Sequence, residues 1–247
     1  MTPILALWAI PRSTSTAFEW MMRQRGDFEC VHEPFGEAWY FGTDRRTPRP
    51  NGVEPRPGLS FASVWTALRE DAARGPVFMK DFPHYVEHIA DDDFLDHFRH
   101  SFLIRDPARM LPSMYDKWPN FQVDETGYAE QHALFNRISA RDGAPPPVID
   151  SDDLLTNPQG TVRAYCDALG IPYIEDALSW DTGERKEVSW YDKGSWHDNL
   201  KASTGLKPQK ANHVGVDHND HLKAAHAVCL PHYEAMYRRR LTPTRGN

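Results

Sequence analysis

Residues 11–16, Pro-Arg-Ser-Thr-Ser-Thr, set one arginine and four consecutive hydroxyl side chains between an apolar run and an amphipathic stretch. A guanidinium forks onto paired oxygens and hydroxyls add short donors, so this combination suits an anion. One hydroxyl would cap a helix; four hydroxyls and an arginine exceed that need. A second pairing of the same kind lies in Phe-Leu-Ile-Arg-Asp-Pro-Ala-Arg-Met-Leu-Pro-Ser, where Arg105 ends an apolar run and Ser113 follows eight residues later. Between the two, Cys-Val-His-Glu-Pro-Phe supplies His32 and Glu33 as proton acceptors, and Phe-Met-Lys-Asp-Phe supplies Lys80 as a cation. These residue types suit the binding of an anion, with titratable side chains between the two pairings.

Such groups need elements that bring them together. Residues 4–10 form a continuous apolar run of strand length, suited to a strand buried on both faces. The spacing of Phe18, Met21 and Met22 predicts a helix that stops at Gly26. Short strands are expected at 28–31, 77–80, 101–105 and in Val-Ile-Asp, with helices at about 61–74, from Pro107, 124–140, from Pro158 to Gly170, and 219–240. Pro112 is expected to interrupt the helix from Pro107 or to leave its first turns irregular. Residues 42–60, rich in Pro, Gly and Arg, read as a long surface loop or lid. Strands alternating with helices give an α/β protein, a parallel sheet covered on both faces, as one domain over residues 1–247. In such a sheet ligands bind where the strands end and the helices begin, which is where residues 11–16 fall.

Composition narrows the chemistry. At 247 residues the chain can bury roughly three quarters of its extended surface, so its core needs no staples. The net charge of −7, with no basic block beyond Arg238-Arg239-Arg240, argues against a nucleic-acid surface and confines any anion to a locally basic pocket. No apolar run reaches the ~20 residues of a membrane span, and no secretion signal is evident at the N-terminus. The three separated cysteines, Cys30, Cys166 and Cys229, read as buried thiols of a reducing compartment, and a cytoplasmic protein is expected. No G-x-x-x-x-G-K-[ST] loop occurs, which weakens a kinase or ATPase reading, and no G-x-S-x-G elbow supports a hydrolase. His84 with His88, and His213, His218 and His221, form neither H-E-x-x-H nor a set with paired cysteines, so no metal is expected.

The segment PRSTST after a first buried strand resembles the 5′-phosphosulfate loop of sulfotransferases that use 3′-phosphoadenosine-5′-phosphosulfate (PAPS). The resemblance implies that Arg12, Ser13, Ser15 and Thr16 hold the phosphosulfate. Thr14, also counted in this loop, stands where the family commonly has glycine. The stretch 102–115 resembles the family's 3′-phosphate motif, with Arg105 and Ser113 as its arginine and serine. Residues 150–172, an acidic-Leu-Leu turn, a proline and a helix ending in Leu-Gly, resemble the family's late structural segment. Lys193-Gly194, in Tyr-Asp-Lys-Gly-Ser-Trp, reads either as the basic loop that closes over the 3′-phosphate in the family or, equally, as a solvated turn.

The implied fold is the three-layer, P-loop-NTPase-like sulfotransferase fold. The implied reaction moves a sulfuryl group from PAPS to a hydroxyl of a small-molecule acceptor, leaving adenosine 3′,5′-bisphosphate. Glu33, 21 residues after Arg12, is the first choice for the base, as in tyrosylprotein and heparan-type sulfotransferases; His32 is its rival. Lys80 resembles the lysine that bridges leaving phosphate and acceptor, and also reads as a solvated residue ending a strand. Transfer to an amine, and a nucleotide-binding module without turnover, stand as alternatives; a homodimer is left open. The aromatic residues Trp39, Tyr40, Phe41, Trp190, Tyr191 and Trp196 in the segments 34–60 and 180–215 suggest an apolar or aromatic acceptor, or packing of a lid.

Overall fold

The computed structural model describes residues 3–47, 52–188, 198–208 and 214–244. Five strands, β1 (Ile4–Trp8), β2 (Glu29–His32), β3 (Val77–Asp81), β4 (Phe98–Ile104) and β5 (Val148–Asp150), form one sheet in the order β2-β3-β1-β4-β5. All four pairings are parallel. Every residue of β1 and β3 is buried, as strands covered on both faces require. The chain leaves β1 for β2 and β3 on one side, then crosses to β4 and β5 on the other. That reversal opens a crevice beyond the C-terminal end of β1.

Helices follow the strands. They are α1 (Ser15–Arg25), α2 (Pro34–Phe41), α3 (Phe61–Arg74), α4 (Pro83–Val86), α5 (Asp92–Leu95), α6 (Pro107–Lys117), α7 (Tyr128–Asp142), α8 (Ser151–Thr156), α9 (Pro158–Leu169), α10 (Asp198–Lys201) and α11 (Asp220–Tyr237). Local chemistry sets their ends. Gly26 closes α1 in the left-handed conformation that glycine favours, and Ser60 and Ser63 form a reciprocal cap on α3. Asn157 caps α9 directly ahead of Pro158.

One apolar core runs from the sheet into α1, α2, α3, α7 and α9. A second cluster, including Ile10, Met110, Leu111, Met114, Phe121, Leu222 and Cys229, packs α6 against α11. The three cysteines are buried free thiols. Among the described residues no helix is long and apolar enough to cross a membrane.

Three expectations are corrected. Helix α6 runs unbroken through Pro112. That proline forfeits only the bond to the Ala108 carbonyl, while Pro107 at the first turn and the Asp106 cap start the helix, and Met110, Leu111 and Met114 bury its face. Residues 34–41, grouped above with the lid, form α2, whose Phe35, Ala38, Tyr40 and Phe41 are core residues. The acidic-Leu-Leu turn is itself a helix, α8, because Asp150 accepts from the amides of Asp152 and Asp153.

Candidate active site

The chain at the end of β1 turns sharply. Arg12 has φ 58° and Thr14 φ 72°, and Glu33 across the crevice has φ 43°. These are the only non-glycine residues with positive φ among the described ones, and all three are candidates from the sequence. Such angles cost on the order of 1–3 kcal/mol each and persist where surrounding structure imposes them. Thr14 thus takes the glycine-like conformation of the position it occupies. Its hydroxyl does not cap α1 but bonds Ser151 Oγ at 2.8 Å, tying the loop to the start of α8. No side chain caps α1 and no acid sits in its first turn, so the positive end of an eleven-residue helix faces the crevice with Ser15 and Thr16 upon it. The Ser13 hydroxyl is turned inward, donating to the Ile10 carbonyl at 2.6 Å.

The second pairing converges on this loop. Arg105, just past β4, donates through a terminal guanidinium nitrogen to the Arg12 carbonyl, and Arg12 Nε donates to Ser113 Oγ at 3.0 Å. Residues 12, 105 and 113, widely separated in sequence, therefore form one cluster. Two supports hold it. The Tyr128 hydroxyl donates to the Arg105 carbonyl at 2.7 Å. Gln131 Nε2 donates to the carbonyls of Trp8 and Leu103, at 3.1 and 2.9 Å, locking the ends of β1 and β4 together. Arg105 Nε is buried and has no hydrogen-bond partner, and burial lowers the guanidinium's affinity for its proton. A buried donor left in that state is an opening for an oxyanion.

On the other side of β1 the parallel register sets His32 beside Lys80, and the Glu33 amide donates to the Lys80 carbonyl at 2.8 Å. Lys80 is fully buried, not a solvated strand end, and its ammonium pairs with Glu33 Oε1. His32 Nε2 lies 3.9 Å from the same oxygen, and Nδ1 lies 2.6 Å from Glu19 Oε2. Asp81, the next residue of β3, accepts from the amides of Phe35 and Phe82, each at 2.8 Å. It thereby fastens the start of α2, and with it Glu33, to the sheet. Burial, and next the Glu33 charge, push its carboxyl well above the usual range. His84 sits beyond, half-buried against Trp39, Phe82 and Tyr85, and desolvation depresses its pKa to about 4 despite the pull of Glu33.

Sequence reading missed Glu19, Asp81, Ser151 and Gln131. Glu19 carried one signal, a charge on the α1 face that also bears Met22 three residues on, about one turn of helix away. Lys193 and Gly194, with Trp190, Tyr191 and Trp196, lie outside the described residues. Among the described residues no group of three or more His, Cys, Asp or Glu side chains is arranged to hold a metal ion.

Comparison with known proteins gives this geometry a lineage. The chain is 28% identical over 242 residues to branched-chain-amino-acid aminotransferase-like protein 2 of Arabidopsis thaliana, covering 94% of this chain and 41% of that protein. It is 24% identical over 195 residues to the sulfotransferase ppzF of Metarhizium rileyi, covering 64% of this chain and 57% of that protein. It thus spans well under two thirds of the length of either relative. The sulfotransferase domain from the curacin biosynthetic pathway superimposes with a TM-score of 0.54 at 12% identity, covering 92% of this chain and 97% of that one, a likeness of fold. The family profile described as "Sulfotransferase domain" matches residues 3–240, nearly the whole chain. With a five-stranded parallel sheet, a turn of hydroxyl residues after β1 and an arginine after β4, the chain belongs to the sulfotransferase domain family.

Proposed function

We propose that the protein transfers a sulfuryl group from PAPS to a hydroxyl of a small-molecule acceptor. The observation that carries this reading is the juxtaposition, across the end of β1, of the Arg12–Arg105–Ser113 cluster and the Glu33–Lys80 pair. The donor fits the residues present: Arg105 Nε is a buried donor without a partner, and the open end of α1 bears no acid. Arg12, Ser15 and Thr16 would hold the phosphosulfate, and Arg105 with Ser113 the 3′-phosphate. When bound, the donor supplies an activated sulfuryl group on a phosphate leaving group.

The chain's residues then divide the work. Lys80, fully buried, brings positive charge next to the base and toward the leaving oxygens. Glu33 accepts the acceptor's hydroxyl proton as bond formation acidifies it. Its rigid setting, with a left-handed backbone at the head of α2, keeps the carboxylate aimed at the crevice without a large reorganisation. No element of this account requires a divalent metal.

A thermal-shift comparison tests the reading. Adenosine 3′,5′-bisphosphate should raise Tm more than AMP at equal concentration, without magnesium, because it alone engages both Arg12 and Arg105. Equal shifts would remove the 3′-phosphate assignment. A bisphosphate shift with no turnover on any alcohol, phenol or amine would leave a nucleotide-binding module in its place.

A further inference from the structure

Glu19 is fully buried in α1, and its two oxygens have separate duties. Oε1 accepts from Arg23 Nε and Nη2 at 3.0 and 2.8 Å, and Oε2 meets His32 Nδ1 at 2.6 Å. Burial alone would raise this carboxyl, but His32, Lys80 and Arg23 outweigh it and bring the pKa to about 2. Glu19 is therefore a carboxylate and can only accept, so the hydrogen in the short contact belongs to His32 Nδ1. The far nitrogen, Nε2, is turned toward Glu33 Oε1 at 3.9 Å. A purely structural pair joining α1 to β2 accounts for Nδ1 but not for the direction of Nε2.

We propose that Glu19 and His32 form a proton relay behind Glu33, in which Glu19 is the positioning residue that presents the His32 Nε2 lone pair to the base. The proposal rests on the sulfuryl-transfer reading and deepens it, placing the two rival bases in series. As a lone pair of the acceptor oxygen forms the bond to sulfur, the proton passes to Glu33 and the O–H bonding pair stays on oxygen. The electron pair of the broken sulfur–oxygen bond leaves on the phosphate oxygen of the bisphosphate. Glu33 then hands the proton to Nε2, across a gap that a small side-chain rotation or one water closes. Glu33 is a carboxylate again, and the imidazolium lies between two carboxylates until solvent takes the proton.

Charged groups surround the relay on three elements. Arg23 faces Glu19 from α1, Lys80 faces Glu33 from β3, and Asp81, His84 and Tyr85 feel the Glu33 charge from β3 and α4. His32 lies between the two acids, Glu19 at Nδ1 and Glu33 at Nε2, and the two cations pair with those acids.

Nitrogen-15 NMR of the histidine side chains in the free wild-type protein reads the relay without any turnover. His32 should carry its hydrogen on Nδ1, hydrogen-bonded and slow to exchange, with Nε2 bare. Glu19→Gln, whose amide either donates or accepts, should release that preference and show hydrogen on Nε2 in part of the molecules. Its kcat should fall roughly tenfold, below the full worth of a general base, with the bisphosphate thermal shift unchanged. Hydrogen on Nε2 in the wild type, or a folded Glu19→Gln enzyme with unchanged kcat, overturns the relay. The wild-type spectrum decides even if the variant does not fold. Failure of the sulfuryl-transfer reading looks different: the bisphosphate would give no thermal shift, whatever the tautomer.

Discussion

On the β3 side of the central strand, Lys80, Glu33, His32 and Glu19 answer one another's charges within the protein. On the β4 side, Arg12 and Arg105 spend their bonds on Ser113 and a backbone carbonyl, and Arg105 Nε is left with no partner. Asp152, whose charge Arg105 feels, is itself paired with Arg109 at 2.8 Å. The difference is one between a region whose charges are paired by folding and a region that keeps a buried donor unpaired. A base must be oriented and neutralised before substrate arrives, whereas a cradle for phosphate keeps cationic donors in reserve. Both regions borrow the same device, a left-handed backbone at a residue other than glycine.

The comparison breaks most sharply at Glu33. Glu33→Gln keeps size and hydrogen bonding but removes the proton acceptor, so kcat should fall by about 10²–10⁴-fold. Affinity for the bisphosphate, read by calorimetry, should barely move, because the proposed nucleotide contacts lie on the other side. His32→Gln should cost far less than Glu33→Gln, since Glu33 would still take the first proton. Near-normal turnover of Glu33→Gln beside a dead His32→Gln would reverse the two roles.

Acid should destabilise the fold through desolvated histidines, His84 on the β3 side and His100 on β4. The His84 pKa falls from 6.5 to about 4 on folding, so the unfolded chain binds the extra proton between those values. Its contribution to stability is present above pH 6.5 and is lost as pH falls toward 4, by at most roughly 3 kcal/mol. His84→Leu should therefore narrow the gap in urea-unfolding free energy between pH 7 and pH 4.5. An unaltered gap would show that His84 does not titrate on unfolding in that window. Glu19 adds a separate loss below pH 4.5, since its carboxyl is depressed to about 2.

Arg105→Ala tests the other side. It should erase most of the preference for the bisphosphate over AMP, about 1.5–3 kcal/mol for a charged hydrogen bond. Isothermal titration that finds the preference intact would shift the 3′-phosphate to other cations. The smallest effect is expected at the turn. Thr14→Val retains the strained φ and loses the bond to Ser151, costing about 1 kcal/mol of stability. Thr14→Gly relieves the strain as it loses the bond, so it should stay closer to wild type in chemical denaturation.

Much of the architecture was legible in the chain. Runs of buried apolar residues announced β1 and β4, Gly26 and Gly170 marked helix ends, and Asn157-Pro158 marked a helix start. These signals are local, because strand and helix periodicity and cap chemistry act within a few residues. The short helices α4 and α5 carried no such periodicity, and α6 survived Pro112 because the packing of its buried face outweighs one missing bond. The residue types of the site were legible too: Arg12, Glu33, Lys80, Arg105 and Ser113 each stand at or just beyond the end of a strand, or on the helix that follows one.

What the sequence by itself determined is thus the list of chemical groups and the strand ends that carry them. The tertiary structure alone decided which group answers which. Lys80 meets Glu33 because β2 and β3 pair in parallel register. Arg12 meets Ser113 because β4 crosses to the far side of β1. Glu19, an ordinary helix acid in the sequence, becomes the partner of His32 only when α1 lies against β2 and excludes water from both. Pairings between residues far apart in the chain depend on sheet order and burial, and those are set by how all the apolar faces pack at once, not by any local stretch.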